Sequence, residues 1–167
     1  SHEFIASFWV MLACQRMDSR LSFLRIQDFK LIVDNIKTEK WYAILSGLGY
    51  LHKAKLLESH RDRFLALPDF SRSLHELYMK DMLNAEMVDL ALAHHGIKNS
   101  TLIGLGYLQK AGILASHKDK VIQHTAFELP LEKLSHEDML TAENLDLALS
   151  NPDYEAAEKE CERFQLT

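Results

Sequence analysis

The chain has 167 residues and only two cysteines, Cys14 and Cys161, near opposite ends and in no metal-ligand spacing. That excludes a disulfide framework and a zinc site, so no metal or other cofactor is expected and a reducing, intracellular setting fits. An excess of positive charge is also missing. The 19 Lys and Arg stand against 24 Asp and Glu, a net charge of -5, so no global field draws in nucleic acid or an anionic membrane. The apolar run from Ile5 to Cys14, broken only by Ser7, falls far short of the ~20 residues of a membrane span and lacks a basic leader, so it reads as neither a span nor a signal peptide. Strand-like alternation with β-branched residues is absent throughout. Absent too are the phosphate-cradling Gly-x-x-x-x-Gly-Lys-Ser/Thr, the Gly-x-Ser-x-Gly elbow and the His-Glu-x-x-His pair.

What is there is helical and repetitive. At 47 % apolar composition the chain has enough material for one core, and a soluble, all-α, single domain over 5–167 is the expectation. Ser1-His2-Glu3-Phe4, without an initiator Met, reads as a tag remnant, so 1–4 are expected to lie outside the fold and the chain is expected to be a fragment. Leu45 to Leu92 matches Leu102 to Leu149 without a gap, with 24 identities in 48 positions and an offset of 57 residues. Gly47-Leu48-Gly49-Tyr50-Leu51 pairs with Gly104-Leu105-Gly106-Tyr107-Leu108, and Asp89-Leu90-Ala91-Leu92 with Asp146-Leu147-Ala148-Leu149. Such a period marks architectures in which each unit covers its neighbour's apolar face.

A weaker repeat lies inside the unit. Leu48, Leu51, Leu56, Leu57 and Phe64 recur as Leu74, Leu77, Met82, Leu83 and Leu90. The second copy repeats the plan at Leu105, Leu108, Ile113, Leu114 and Val121, then at Leu131, Leu134, Met139, Leu140 and Leu147. The spacing gives one helical stripe with a break, so each of the four modules reads as a helical hairpin, and the stack as a solenoid or a compact bundle. Ser59 and Ser116, each three residues before an Asp, read as helix caps, and Asn84 and Thr141 stand where a second helix begins. Pro130 suits a first helical turn, while Pro68 and Asn151-Pro152 mark turns or helix ends. The expected organisation is a degenerate capping segment over 5–41, repeat units over 42–99 and 100–151, and a terminal capping helix over 152–167. The capping segment carries Leu21, Leu24, Phe29, Ile32, Val33 and Ile36 at helical spacing, and the terminal helix carries the charged stretch Glu155 to Arg163 with Phe164 turned inward.

Candidate chemistry is sparse. The repeated Gly-Leu-Gly lacks the third glycine and the leading strand of a dinucleotide fingerprint, so Gly47, Gly49, Gly104 and Gly106 read as close-packing positions. His94, His95 and His124, with His60 and His117, offer metal or acid–base groups, against which the bland reading places them at the surface or at helix ends. Asp81, Asp89, Asp138 and Asp146 recur as well, and the same copying explains them as a solvated face opposite the leucines. Cys14 in its apolar run reads as a small buried thiol. Trp41, Tyr42, Tyr50 and Tyr107 are the candidate binding residues, because large aromatics dominate binding hot spots, with burial between modules as the competing fate.

Met-Leu-Thr-Ala-Glu-Asn-Leu-Asp-Leu-Ala-Leu at Met139 to Leu149, and Gly-Tyr-Leu-Gln-Lys-Ala-Gly-Ile-Leu at Gly106 to Leu114, resemble helical repeats found in effector proteins that Legionella-type intracellular bacteria secrete into host cells. The resemblance covers roughly 45–151. Leu57-Glu58 and Leu83-Asn84 depart from the Leu-Leu-Thr that usually precedes the second helix, where Met139-Leu140-Thr141 comes close. It implies a type IV-secreted virulence protein whose repeats act as an interaction scaffold toward a host protein. Two functional readings result: a protein-binding helical-repeat module, and, as the alternative, a helical enzyme or the regulatory domain of one with a site gathered from histidines and carboxylates.

Overall fold

In a computed structural model of the chain, which describes residues 9, 11, 12, 15, 19–38, 40–94, 96–124 and 129–150, the described residues form nine α-helices and two short 3-10 turns, with no strand among them. The expectations for 1–4, Cys14, His95, Asn151-Pro152 and the 152–167 helix fall outside these residues. In chain order the helices are α1 (Ile26–Asp34), α2 (Lys40–Lys53), α3 (Leu57–Ala66), α4 (Ser71–Met79), α5 (Ala85–Ala93), α6 (Asn99–Lys110), α7 (Leu114–Gln123), α8 (Leu131–His136) and α9 (Ala142–Ser150). Among these helices none is long and apolar enough to cross a membrane.

Each module supplies two successive helices, and the joint between them has one shape. Lys55, Asp81, Gly112 and Asp138 occupy the same module position, and all four are left-handed, with φ of 62°, 57°, 76° and 55°. At Lys55, Gly112 and Asp138 the hydrogen bonds are those of a Schellman motif. Leu56 N–H donates to the Leu51 carbonyl at 2.8 Å, Ile113 to Leu108 at 3.0 Å and Met139 to Leu134 at 2.8 Å, which satisfies carbonyls that the helix end leaves open. Asp81 and Asp138 therefore do not ride on a helix opposite the leucines, as the repeat pattern had implied. They end helices, a position that Asp tolerates because its short polar side chain accepts left-handed backbone.

The same joint corrects the assignment of Ser59 and Ser116 as caps. The apolar Leu56 and Ile113 both close the Schellman turn and open the next helix, so no polar residue fits at the cap. Each serine sits a turn inside and donates its hydroxyl proton backwards, Ser59 to the Leu56 carbonyl at 3.2 Å and Ser116 to Ile113 at 3.1 Å. In the alternate modules the second helix starts later and the expected caps form: Asn84 Oδ1 accepts from Met87 N–H at 3.1 Å and Thr141 Oγ1 from Asn144 N–H at 3.2 Å. Pro130 stands one residue ahead of α8, its carbonyl taking the first helical bond from Leu134.

The stripe is buried as its spacing requires. Leu48, Leu51, Leu74, Leu77, Leu105, Leu108 and Leu134 have no exposed surface, each worth roughly 1.5–3 kcal/mol of transfer free energy. Leu147 departs from the pattern at 38 % exposed, and Val33 and Ile36 of the capping segment also face outward.

Contacts divide the chain into two units, Ser1–Tyr78 and Met79–Thr167. The boundary falls inside α4, within the 42–99 repeat, because a sequence period decides which residues are equivalent and not which ones pack together. In the first unit α2 packs on α1, on α3 and on the 3-10 turn Pro68–Phe70. Phe64 of α3 meets Phe70 edge to face, with ring centroids 5.3 Å apart, and lies so close to Gly47 that a β-carbon there would collide with its ring. Gly49 is under no such constraint, with Phe23 at 3.9 Å. A buried ion pair anchors α1: the Arg61 guanidinium bonds Asp28 and, at 3.1 Å, the Phe23 carbonyl, while Asp28 also accepts from Arg25 N–H at 2.9 Å. Burial, and then the nearby Arg25 charge, lower the Arg61 pKa. Removal of either partner strands a buried charge.

In the second unit α6 packs on α5, α7 and α8, and α9 packs on α7. Every residue of α6 from Leu102 to Leu108 is buried, as befits a helix apolar on all sides. Gly104 permits this, since a β-carbon there would stand 2.6 Å from Leu131 of α8.

Candidate functional site

The four aromatic candidates go to different places. Trp41 and Tyr42, at the start of α2, meet edge to face with centroids 5.7 Å apart, Trp41 half-buried and Tyr42 65 % exposed. Tyr50 lies two turns further along α2 and is half-buried, whereas its equivalent Tyr107 is only 4 % exposed.

Tyr50 is the centre of a cluster built by α2 and α4. Its hydroxyl is hydrogen-bonded to His75 Nδ1, and its ring meets the His75 ring at 5.1 Å and the Tyr78 ring at 5.4 Å, tilted by 46°. Lys53, one helical turn after Tyr50 and the last residue of α2, places Nζ 5.5 Å from both tyrosine centroids. His75, Tyr78 and Lys53 are exposed. On another face of the same helix, His52 stacks on Phe23 at 4.7 Å, beside a mostly apolar cleft of about 430 Å³ lined by Leu21, Phe23, Leu45, Gly49 and Lys53.

At the equivalent place in the second unit the tyrosine is tied into an ion pair. Tyr107 donates to Glu132 Oε1 at 3.0 Å, and Lys80 Nζ reaches the same oxygen at 3.0 Å. The Lys80 hydrogen bond, followed by that of Tyr107, draws the Glu132 carboxyl below its ordinary range. Glu132 in turn raises Lys80, and burial, then Glu132, raises Tyr107. His136 sets its ring against Tyr107 at 5.8 Å. Pro130, Glu132, Lys133, His136 and Glu137 line a cleft of about 550 Å³ along α8.

The histidines correct one expectation. His60 and His117 are neither surface nor helix-end residues but are buried to 4 % exposure on α3 and α7. Each ring faces the preceding serine, Ser59 and Ser116, with Oγ 2.6 Å from Nδ1. His117 Nε2 also meets Asp146 of α9 at 2.8 Å, with Lys120 3.5 Å from the same oxygen. The His117 hydrogen bond holds the Asp146 carboxyl below its ordinary range. A histidine and a carboxylate from different modules are thus brought together, as the enzyme alternative requires. The serine–histidine contact, however, appears in both copies and follows from adjacent positions on a helix, and the Ser116 proton has the Ile113 carbonyl to serve. His94 and His124 end α5 and α7. Among the described residues no group of three or more His, Cys, Asp or Glu is placed to hold a metal ion.

Comparison with protein families, curated proteins and solved structures finds no match to this chain.

His75, Tyr78 and Lys53 were not singled out from sequence. The signal lay in the difference between the copies: the positions matching His75 and Tyr78 hold Glu132 and Ser135, so two neighbours of the shared tyrosine differ while seven of the nine residues Leu45–Lys53 are kept.

Proposed function

We propose that the chain is a protein-binding helical-repeat module, its binding surface centred on Tyr50, His75 and Tyr78 of the first unit. The observation that carries the reading is the arrangement of that cluster. Three rings and an ammonium meet on the surface, with Tyr50 already fixed by its hydrogen bond to His75. Rigid, half-exposed aromatics of this kind supply binding energy at small ordering cost. The resemblance of the repeats to secreted bacterial effectors makes a host protein the partner in this reading.

Site-specific photo-crosslinking tests it. A benzoylphenylalanine at Tyr78 is expected to give a discrete adduct from host cytosol that excess unmodified chain competes away, and a probe at Lys118 is expected to give none. Substituting Tyr50 by Ala should weaken binding of the captured partner by about 1–3 kcal/mol. Adducts that are indiscriminate, or equal at 78 and 118, would sink the assignment. A translocation reporter fused to the chain tests the secretion reading separately.

A further inference from the structure

The geometry points to a specific ligand chemistry for this cluster: Tyr50 and Tyr78 form a site for an alkylammonium cation, the lysine-type side chain of a partner, and Lys53 is its resident occupant. The inference rests on the reading of this face as a binding surface and names what it binds.

Three observations converge. The two rings lie 5.4 Å apart at 46°, so their faces open toward a common point, and the Lys53 ammonium occupies it, equidistant at 5.5 Å from both centroids. That is inside the ~6 Å within which a ring quadrupole attracts a cation. No carboxylate pairs with Lys53 among the described residues, so the rings, and not an ion pair, account for where its charge sits. Tyr50 is partly pre-set, because its hydroxyl is hydrogen-bonded to His75 Nδ1, which lowers the ordering cost when a ligand arrives.

The second copy shows what the site replaces. There too a lysine ammonium comes to the tyrosine, but it is Lys80, neutralised by Glu132 at 3.0 Å, and Ser135 stands where Tyr78 would supply a second ring. The first copy has His75 where the second has the carboxylate and Tyr78 where the second has Ser135, an open aromatic pair in place of a closed ion pair. Lys53 is exposed, on a flexible stem at the end of its helix. It leaves at little cost and acts as an internal competitor that lowers the apparent affinity for any incoming cation by the fraction of time it is docked.

The test is an NMR titration of the full chain with N-acetyl trimethyl-lysine amide, following the N-methyl protons and the tyrosine ring protons. A saturable upfield shift of the N-methyl signal is expected, with binding about two- to fivefold tighter in Lys53→Gln than in the unaltered chain. Tyr78→Leu should abolish the shift, and Tyr50→Phe, which keeps the ring, should retain it. The neutral isostere with carbon in place of nitrogen should bind at least about threefold more weakly. No saturable shift in Lys53→Gln, equal binding of the neutral isostere, or equal affinity in Lys53→Gln and the unaltered chain would each overturn the cation site. Crosslinking from Tyr78 that persists in that event leaves the face as a binding surface of other chemistry. Failure of both removes both.

Discussion

Tyr50 and Tyr107 hold the same position in the repeat and lead opposite lives. Around Tyr107 the helix is buried on every side, a carboxylate and a lysine meet at the hydroxyl, and a histidine sets its ring against the tyrosine ring. Around Tyr50 the matching helix buries only Ile44, Gly47, Leu48 and Leu51, and the neighbours are rings and the Lys53 ammonium. The backbone has been copied faithfully, down to the Schellman joint that follows each tyrosine. Among the differences is the residue 25 positions on, His75 in one copy and Glu132 in the other. With Ser135 in place of Tyr78 and Lys80 in place of Lys53 at the tyrosine, the differing neighbours accompany one buried and one half-exposed ring.

That contrast sets what should be equal between the copies and what should not. The largest effect tests equality. Leu51→Ala and Leu108→Ala both empty a fully buried site and should each cost ~2–5 kcal/mol by urea unfolding; a difference larger than that range would break the equivalence of the two stripes. The glycines should then diverge. Gly47→Ala drives a β-carbon into the buried Phe64 ring, whereas at Gly104 the neighbour is the end of the flexible Leu131 side chain. The first should cost about 1–3 kcal/mol, and the second should fall within about 1 kcal/mol of neutral once the helix gains alanine's propensity.

Smaller effects sharpen the tyrosine comparison. Tyr107→Phe removes a hydrogen bond to Glu132 and should destabilise by about 1 kcal/mol, while Tyr50→Phe, at a half-exposed site, should cost less than about 0.5 kcal/mol. The carboxyl of Glu132 is held below its ordinary value, as is that of Asp146. Their contribution is present above the ordinary carboxylate range and is lost as pH falls through the depressed folded values. Acid should therefore loosen the second unit, and Glu132→Gln should flatten the fall of the urea midpoint below pH ~5; an unchanged acid limb in that variant would show that the ion pair contributes nothing. Least of all, Tyr42→Ser at its exposed site should move stability by less than about 0.5 kcal/mol.

The helices, their pairing into hairpins and the buried stripe were legible in sequence because duplication wrote the same pattern four times, and periodicity is a local signal. Asn84 and Thr141 were legible for the same reason, since a cap is chosen by its own few neighbours. The Asp28–Arg61 pair was not, because its partners lie 33 residues apart and no period connects them. Asp81 and Asp138 were misread as face residues although Gly112, at the matching module position, already indicated a left-handed joint. The buried histidines were missed because a titratable ring is assigned to water by default, and only the structure shows a serine and, at His117, a carboxylate waiting for it. Of the candidate cluster only Tyr50 was foreseen. His75 and Tyr78 come from another helix, and their convergence is a tertiary fact.

The left-handed joints have a further consequence, for the history of the chain and for its engineering. One backbone shape recurs at four places, and three residue types fill it: Lys55, Asp81 and Asp138, and Gly112. Shape has outlasted identity across the duplications. Only Gly112 meets the geometry free of a β-carbon; the lysine retains a strain of about 1–2 kcal/mol that drift has never removed. Thermal resistance is thus latent in an exposed joint two residues beyond Lys53, and a single Lys55→Gly exchange, which keeps the left-handed backbone, is expected to release it.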